Sequence, residues 1–223
     1  MRDIKRRRES IMSTEQITKA MKLVATVKLQ KARQRAEVSG PYTKYMYETM
    51  GSILARSSSL MHPYLQPGES DHKAVLLITS NRGLAGGYNM NVIKTVTNSD
   101  LPKEKMHVYT IGQKGREYLR ARDYILEKDY SEVVNAPLYK DAIEMSELLL
   151  KEFEEGRFGE IYLAYTEFKN TVSHMPKMIR LLPVDAGTLP EKGDNAADPM
   201  NFEPDTDEVL DVIIPQYMAS LIY

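Results

Sequence analysis

The distribution of apolar side chains divides the 223 residues into three kinds of segment. From Met1 to Gly40 apolar positions are sparse and helical in spacing: Ile17, Ala20, Val24 and Val27 alternate steps of three and four, and Ile4 and Ile11 stand one heptad apart. No proline or glycine occurs before Gly40, and good helix formers fill the gaps. At 1.5 Å per residue such a stretch makes a rod of roughly 60 Å, far longer than a usual globular helix. The stripe is narrow and includes small side chains, which suits close packing on one other helix. Gly40-Pro41 predicts a kink or a short break. Tyr42, Tyr45, Met46, Thr49, Ile53 and Leu54 then recover the helical period, and the rod resumes to about Ser58. His62-Pro63 and the polar stretch from Gln66 to His72 read as a linker, residues 59–72.

The second kind of segment is the short continuous apolar run. Ala74 to Thr79 has the look of a strand buried on both faces, followed by a glycine-rich turn over Ser80 to Gly87 and a helix over Asn89 to Thr97. Met106 to Ile111 is a second strand, Gln113 to Arg122 a helix, and Tyr124 to Glu127 a short third strand. Leu138 to Phe153 is amphipathic and helical; Glu160 to Phe168 and Pro176 to Val184 are strands joined by a polar link, as in a hairpin. This order predicts a three-layer, Rossmann-like α/β domain over residues 73–185, with a largely parallel sheet. Asp185 to Asp211 then carries nine acids against the single base Lys192, with three prolines, and residues 186–206 read as an acidic surface loop. The third kind begins at Asp207: Val209, Leu210, Val212, Ile213, Ile214, Tyr217, Met218, Leu221 and Ile222 open a very apolar helix, 207–223, interrupted by Pro215. It stops at Tyr223 with no capping signal, as a helix that has been cut off would.

Charge sharpens the picture of the rod. It carries eleven Lys or Arg against four acids, a formal +7, which leaves −8 for the rest of a chain whose total is −1. That asymmetry calls for an acidic partner surface around the rod. A solvated helix is one account of it. Nucleic-acid binding fits the charge but not its distribution, because the basic side chains run round the rod and do not cluster with aromatics. A shaft inside an acidic sleeve is the third. The rod alone does not choose between them.

Candidate chemistry is thin. With no cysteine, disulfides, thiol nucleophiles and thiolate metal sites are excluded together. No run approaches a membrane span, and the first residues have neither the layout of a signal peptide nor room for a transit segment, which points to a cytoplasmic, bacterial protein. The turn Ser80-Asn-Arg-Gly-Leu-Ala-Gly-Gly-Tyr-Asn89 follows a buried strand and precedes a helix, where free backbone N–H groups can hold a phosphate. Gly83, Gly86 and Gly87 do not make the dinucleotide fingerprint, and no Gly-Lys-Ser/Thr follows. His62, His72, His107 and His174 are scattered without metal-ligand spacing, and no nucleophile–base pair can be assembled. No catalytic residue, cofactor or metal is expected.

Three stretches carry a family resemblance: Ile4-Lys-Arg-Arg-Arg-Glu-Ser-Ile11, Thr14-Glu-Gln-Ile-Thr-Lys-Ala-Met-Lys-Leu-Val-Ala25 and Arg82-Gly-Leu-Ala-Gly-Gly87. Together they resemble the gamma subunit of the rotary F-type ATP synthase, along essentially the whole chain and in the order rod, α/β domain, second helix. Ala85 stands where many relatives have cysteine and Asn81 where many have aspartate, so neither position is essential to the resemblance. The redox-cysteine insertion of chloroplast versions is absent. Family members continue for several tens of residues, completing the helix that pairs antiparallel with the rod. The resemblance implies a non-catalytic rotor shaft inside a ring of alpha and beta subunits, coupling a proton-driven c-ring to the beta sites. It implies alpha, beta, epsilon and c-ring partners, no small-molecule substrate, and a peripheral place on the cytoplasmic face of the bacterial membrane. Lys19, Lys22, Lys28 and Lys31 on the rod, with Arg82 and Lys94 on the domain, would meet acidic segments of beta. The alternatives are a basic coiled-coil nucleic-acid binder and a nucleotide-binding α/β protein.

Overall fold

The computed structural model describes residues 2–56, 62–185 and 206–223. Two compact units divide the chain, Met1–Tyr45 and Met46–Tyr223. The first consists of helical rod alone. Helix α1, Arg2–Arg56, runs through Pro41 without interruption, which corrects the expected break at Gly40-Pro41. Proline's fixed φ is compatible with a helix; what it removes is the bond to the carbonyl of Glu37, and both residues are exposed, so water can take that place. Ser58, the expected end of the rod, lies outside the described residues.

The second unit holds strands β1 (Lys73–Ile78), β2 (Met106–Ile111), β3 (Ile125–Asp129), β4 (Glu160–Phe168) and β5 (His174–Leu182). Helices α2 (Tyr88–Thr97), α3 (Gln113–Arg120) and α4 (Tyr139–Glu154) connect the first four strands, and α5 (Thr206–Ile222) closes the chain. One five-stranded sheet has the order β3-β2-β1-β4-β5, parallel except for the final β4–β5 hairpin. In that hairpin Asn170 accepts hydrogen bonds from the N–H groups of Val172 and Ser173, and Phe168 pairs with His174. Strand β5 therefore starts two residues before the expected Pro176, which the sheet tolerates because β5 is an edge strand.

The alternation of side chains explains three layers. On β1, Ala74 and Leu76 enter the core formed with α4, α5 and the last turns of α1, while Val75 and Leu77 enter the core beneath α2 and α3. Tyr109 and Ile111 against Met106 and Val108 do the same on β2. Met50, Ile53 and Leu54 of α1 belong to the first core, with the Tyr47 and Tyr217 rings meeting edge to face at 5.3 Å. Of residues 59–72, expected as a linker, 59–61 lie outside the described residues and 62–72 are packed into this unit. Pro63–Leu65 form a short 3-10 turn capped by the His62 ring, and His62 and Tyr64 are both buried. Pro215 lies inside α5; the carbonyl it leaves without a helical partner belongs to exposed Asp211.

Candidate functional site

The carboxyl ends of the parallel strands are where an open α/β sheet binds ligands, at the point where connections diverge, here between β1 and β4. Ser80–Gly87 occupies that place after β1. Thr79 follows β1 directly, with its backbone N–H bonded to the Ile111 carbonyl and its hydroxyl bonded to the Gly112 carbonyl. Gly112, at φ 112°, passes so close that a Cβ there would lie 2.2 Å from the Thr79 carbonyl oxygen. The base of the turn is then tied by amides. Asn89 accepts from the Ser80 N–H at 2.8 Å, and the Ser80 hydroxyl donates to the Arg82 carbonyl at 2.7 Å. The Asn81 side chain donates to the Ser131 carbonyl at 2.7 Å and accepts from the Gln113 N–H at 3.0 Å. Beyond these ties residues 82–87 are exposed, Leu84 and Gly86 have φ of 61° and 55°, and the Leu84 side chain is 93% exposed.

Arg82 stands on this turn and Lys94 near the end of α2, both exposed. Lys19, Lys22, Lys28 and Lys31 are exposed on α1, and none forms an ion pair with a described residue. At about 100° per residue, Lys19 and Lys22 share one side of the helix and Lys28 and Lys31 the opposite side, so the four encircle it and do not converge. The rod positions and the domain positions lie in different compact units. The apolar stripe is open as well: Ile4, Ile11, Ile17, Val24 and Val27 are each at least 50% exposed.

A second polar cluster was invisible in the sequence. The supposedly scattered His72 and His107 meet at 2.9 Å between Nδ1 and Nε2, and His107 Nδ1 lies 2.5 Å from Glu127. The Glu127 carboxylate can only accept, so His107 donates to it through Nδ1. Arg157 joins Glu127 to Glu152, each at 2.6 Å, and Tyr109 donates to Glu152. Burial, the largest influence on Glu127, pushes its pKa up, but the hydrogen bonds from His107 and Arg157 outweigh it and hold the carboxyl below its usual range. On β4, burial likewise raises Glu160 while Lys73 at 2.8 Å and Tyr162 bring it below the ordinary value. Burial and Glu160 push the Tyr162 phenol up to about 12, so it remains a donor. Among the described residues no group of three or more His, Asp or Glu side chains is placed to hold a metal ion. These clusters are internal ties between elements, each charge answered by a neighbour.

What the fold and its surface define is a protein of two units, a long, basic helix with exposed side chains and an α/β domain. The comparisons are specific about its family. The ATP synthase family profile matches residues 1–223. The ATP synthase gamma chain of Lachnoclostridium phytofermentans is 56% identical over all of this chain and 79% of its own length. The gamma chain of Alkaliphilus metalliredigens is 40% identical over all of this chain and 78% of its own length. The gamma chain of Acetobacterium woodii, described as sodium ion specific, is 35% identical over all of this chain and 79% of its own length. A solved central stalk of the Tetrahymena thermophila mitochondrial ATP synthase has the same fold, with TM-score 0.64 and 21% identity over 93% of this chain and 89% of that one. The chain belongs to the gamma-chain family of ATP synthase. It is thus a central-stalk subunit and not itself the enzyme that makes or splits ATP.

Proposed function

We propose that this chain is the shaft of a rotary ATP synthase, with its leading helix turning inside a ring of alternating alpha and beta subunits. The observation that carries the proposal is the gamma-chain match along the whole sequence, joined to a rod of +7 charge whose cations face outward all round. A shaft does work because it is a ligand with different interaction energies for different beta conformations, so each of its orientations favours a different distribution of open and closed sites. Lys19, Lys22, Lys28, Lys31, Arg82 and Lys94 are the contacts we assign to acidic segments of beta. Exposed ion pairs contribute only about 0–1 kcal/mol each, and many weak contacts let a surface pass three equivalent partners without being trapped by one.

In this account residues 1–58 and 207–223 contribute to the shaft, and residues 73–185 form the domain standing below the ring; the acidic stretch 186–206, expected as a loop, lies outside the described residues up to position 205. The domain would hold the epsilon subunit and rest on the membrane c-ring. The complex would then sit on the cytoplasmic face of a bacterial membrane, with this subunit peripheral; none of its described helices is long and apolar enough to cross a membrane. A proton-driven ring supplies the torque, and the shaft's work is the same whichever ion turns it, because transmission needs no ion on this chain. Co-purification with alpha and beta subunits tests the assignment. One copy of this chain per hexamer is expected, and a hexamer that excludes it, or takes up several, would overturn the proposal.

A further inference from the structure

We propose that Asn81 is a positioning residue: its amide, clamped between the Ser131 carbonyl and the Gln113 N–H, fixes the Arg82–Gly87 turn in one conformation before any partner arrives. The inference deepens the rotor assignment and rests on it for its functional consequence. The geometry admits a single orientation of the amide, because Ser131 offers only an acceptor at 2.7 Å and Gln113 only a donor at 3.0 Å. Each bond leaves the turn for a different element, one to the segment after β3 and one to the first residue of α3. The Lys114 N–H bond to the Ser80 carbonyl at 3.1 Å and the Asn89 grip on Ser80 complete the base.

Among the described residues no side-chain hydrogen bond reaches residues 83–86 themselves, so their conformation is set from the base. A Cβ added at Gly83 or Gly86 would meet no atom within 4 Å, and Leu84 keeps a positive φ in open solvent. Such a backbone conformation costs a non-glycine residue free energy and persists only when its surroundings impose it. The surroundings here are the side chains of Ser80, Asn81 and Asn89, and Asn81 alone reaches across to another strand connection. A turn already ordered loses less entropy when it docks, which is how a residue that touches no partner can strengthen a contact made by Arg82. An aspartate at 81 would keep the bond from Gln113 but set a carboxylate oxygen against the Ser131 carbonyl, so it should be intermediate between asparagine and alanine.

The test compares wild type, Asn81→Asp and Asn81→Ala as full chains, following trypsin cleavage after Arg82 and the melting temperature, and then coupled ATP synthesis in the assembled synthase. Cleavage after Arg82 is expected at least tenfold faster in the alanine variant and in between for aspartate. Cleavage after Lys103 and Lys128 should be unchanged, and melting should shift by about 5 °C or less. Coupling should fall in the alanine variant. Unchanged cleavage at Arg82 in Asn81→Ala would overturn the inference, as would faster cleavage with undiminished coupling. A wild-type chain that fails to join the hexamer would instead overturn the rotor assignment, and the cleavage order would still decide whether Asn81 positions the turn.

Discussion

Asn81 and the His72–His107 pair show what the sequence hides at the scale of single residues. Asn81 is set aside by the family resemblance, yet its two partners lie 50 and 32 positions away. The two histidines are 35 apart, and only the parallel β1–β2 pairing brings their neighbourhoods together. Asparagine following a buried strand and leading into a glycine turn is the one local sign that its amide would be used for turn-building. Glycines behave similarly: Gly112 resembles any helix-start glycine until Thr79 is seen against it. Replacing Gly112 by alanine should therefore destabilise the domain by about 3 kcal/mol or more, read from denaturant midpoints, since it combines strain at positive φ with a backbone collision. A second expectation concerns acid. The Glu127, Glu160 and Asp129 carboxyls are all held below their ordinary values in the folded chain, by His107 and Arg157, by Lys73 and Tyr162, and by Ser131, Thr110 and Arg116 respectively, against the opposing push of burial. Depressed folded values mean that this stability is complete above the unfolded carboxyl range near pH 4–4.5 and is lost as pH falls through the lower folded values. Melting temperature should hold from pH 7 to about 5 and drop below that, with a shallower drop in Glu127→Gln; a flat profile to pH 3 would refute the assignment.

Elements were the most legible level. The strand expected over Met106 to Ile111 and the one over Glu160 to Phe168 appear with those limits, because continuous apolar runs bounded by polar or glycine residues leave little freedom. The helix expected from Leu138 to Phe153 appears as Tyr139–Glu154, with Asp141 accepting from the Leu138 N–H to start it. Two features misled. Gly40-Pro41 is a breaker by local rule, but an exposed helix needs only water to replace the bond that proline removes. The polar spacing of residues 62–72 conceals that Tyr64 is a core residue, a burial set by α4 and its Phe153 and not by its own neighbours in sequence. At Gly40 a Cβ would meet nothing within 4 Å, so Gly40→Ala should stiffen the rod by about 1 kcal/mol, seen as a later loss of helical circular dichroism on heating. No gain, or a loss, would mean that the helix does not run through that point in solution.

For the whole molecule the telling property is how charge and apolar surface are divided. The first forty residues carry +7 and keep their apolar stripe in solvent, while the remainder carries −8 and buries two cores around one sheet. Periodicity could suggest that such a rod packs on another helix, and charge left a solvated surface, nucleic acid and an acidic sleeve all open. Neither could say that the rod turns; that came with the family. Charge reversal gives a graded check: Lys22→Glu or Arg82→Glu should impair coupled ATP synthesis far more than it lowers the melting temperature, because each side chain is exposed and forms no ion pair with a described residue. The most direct test uses the chain's lack of cysteine. A single Lys22→Cys change, tethered by a disulfide to a cysteine placed on the facing beta subunit, should stop ATP-driven turnover in the assembled complex, and reduction should restore it. Full turnover with the rod still fastened to the ring would contradict the shaft.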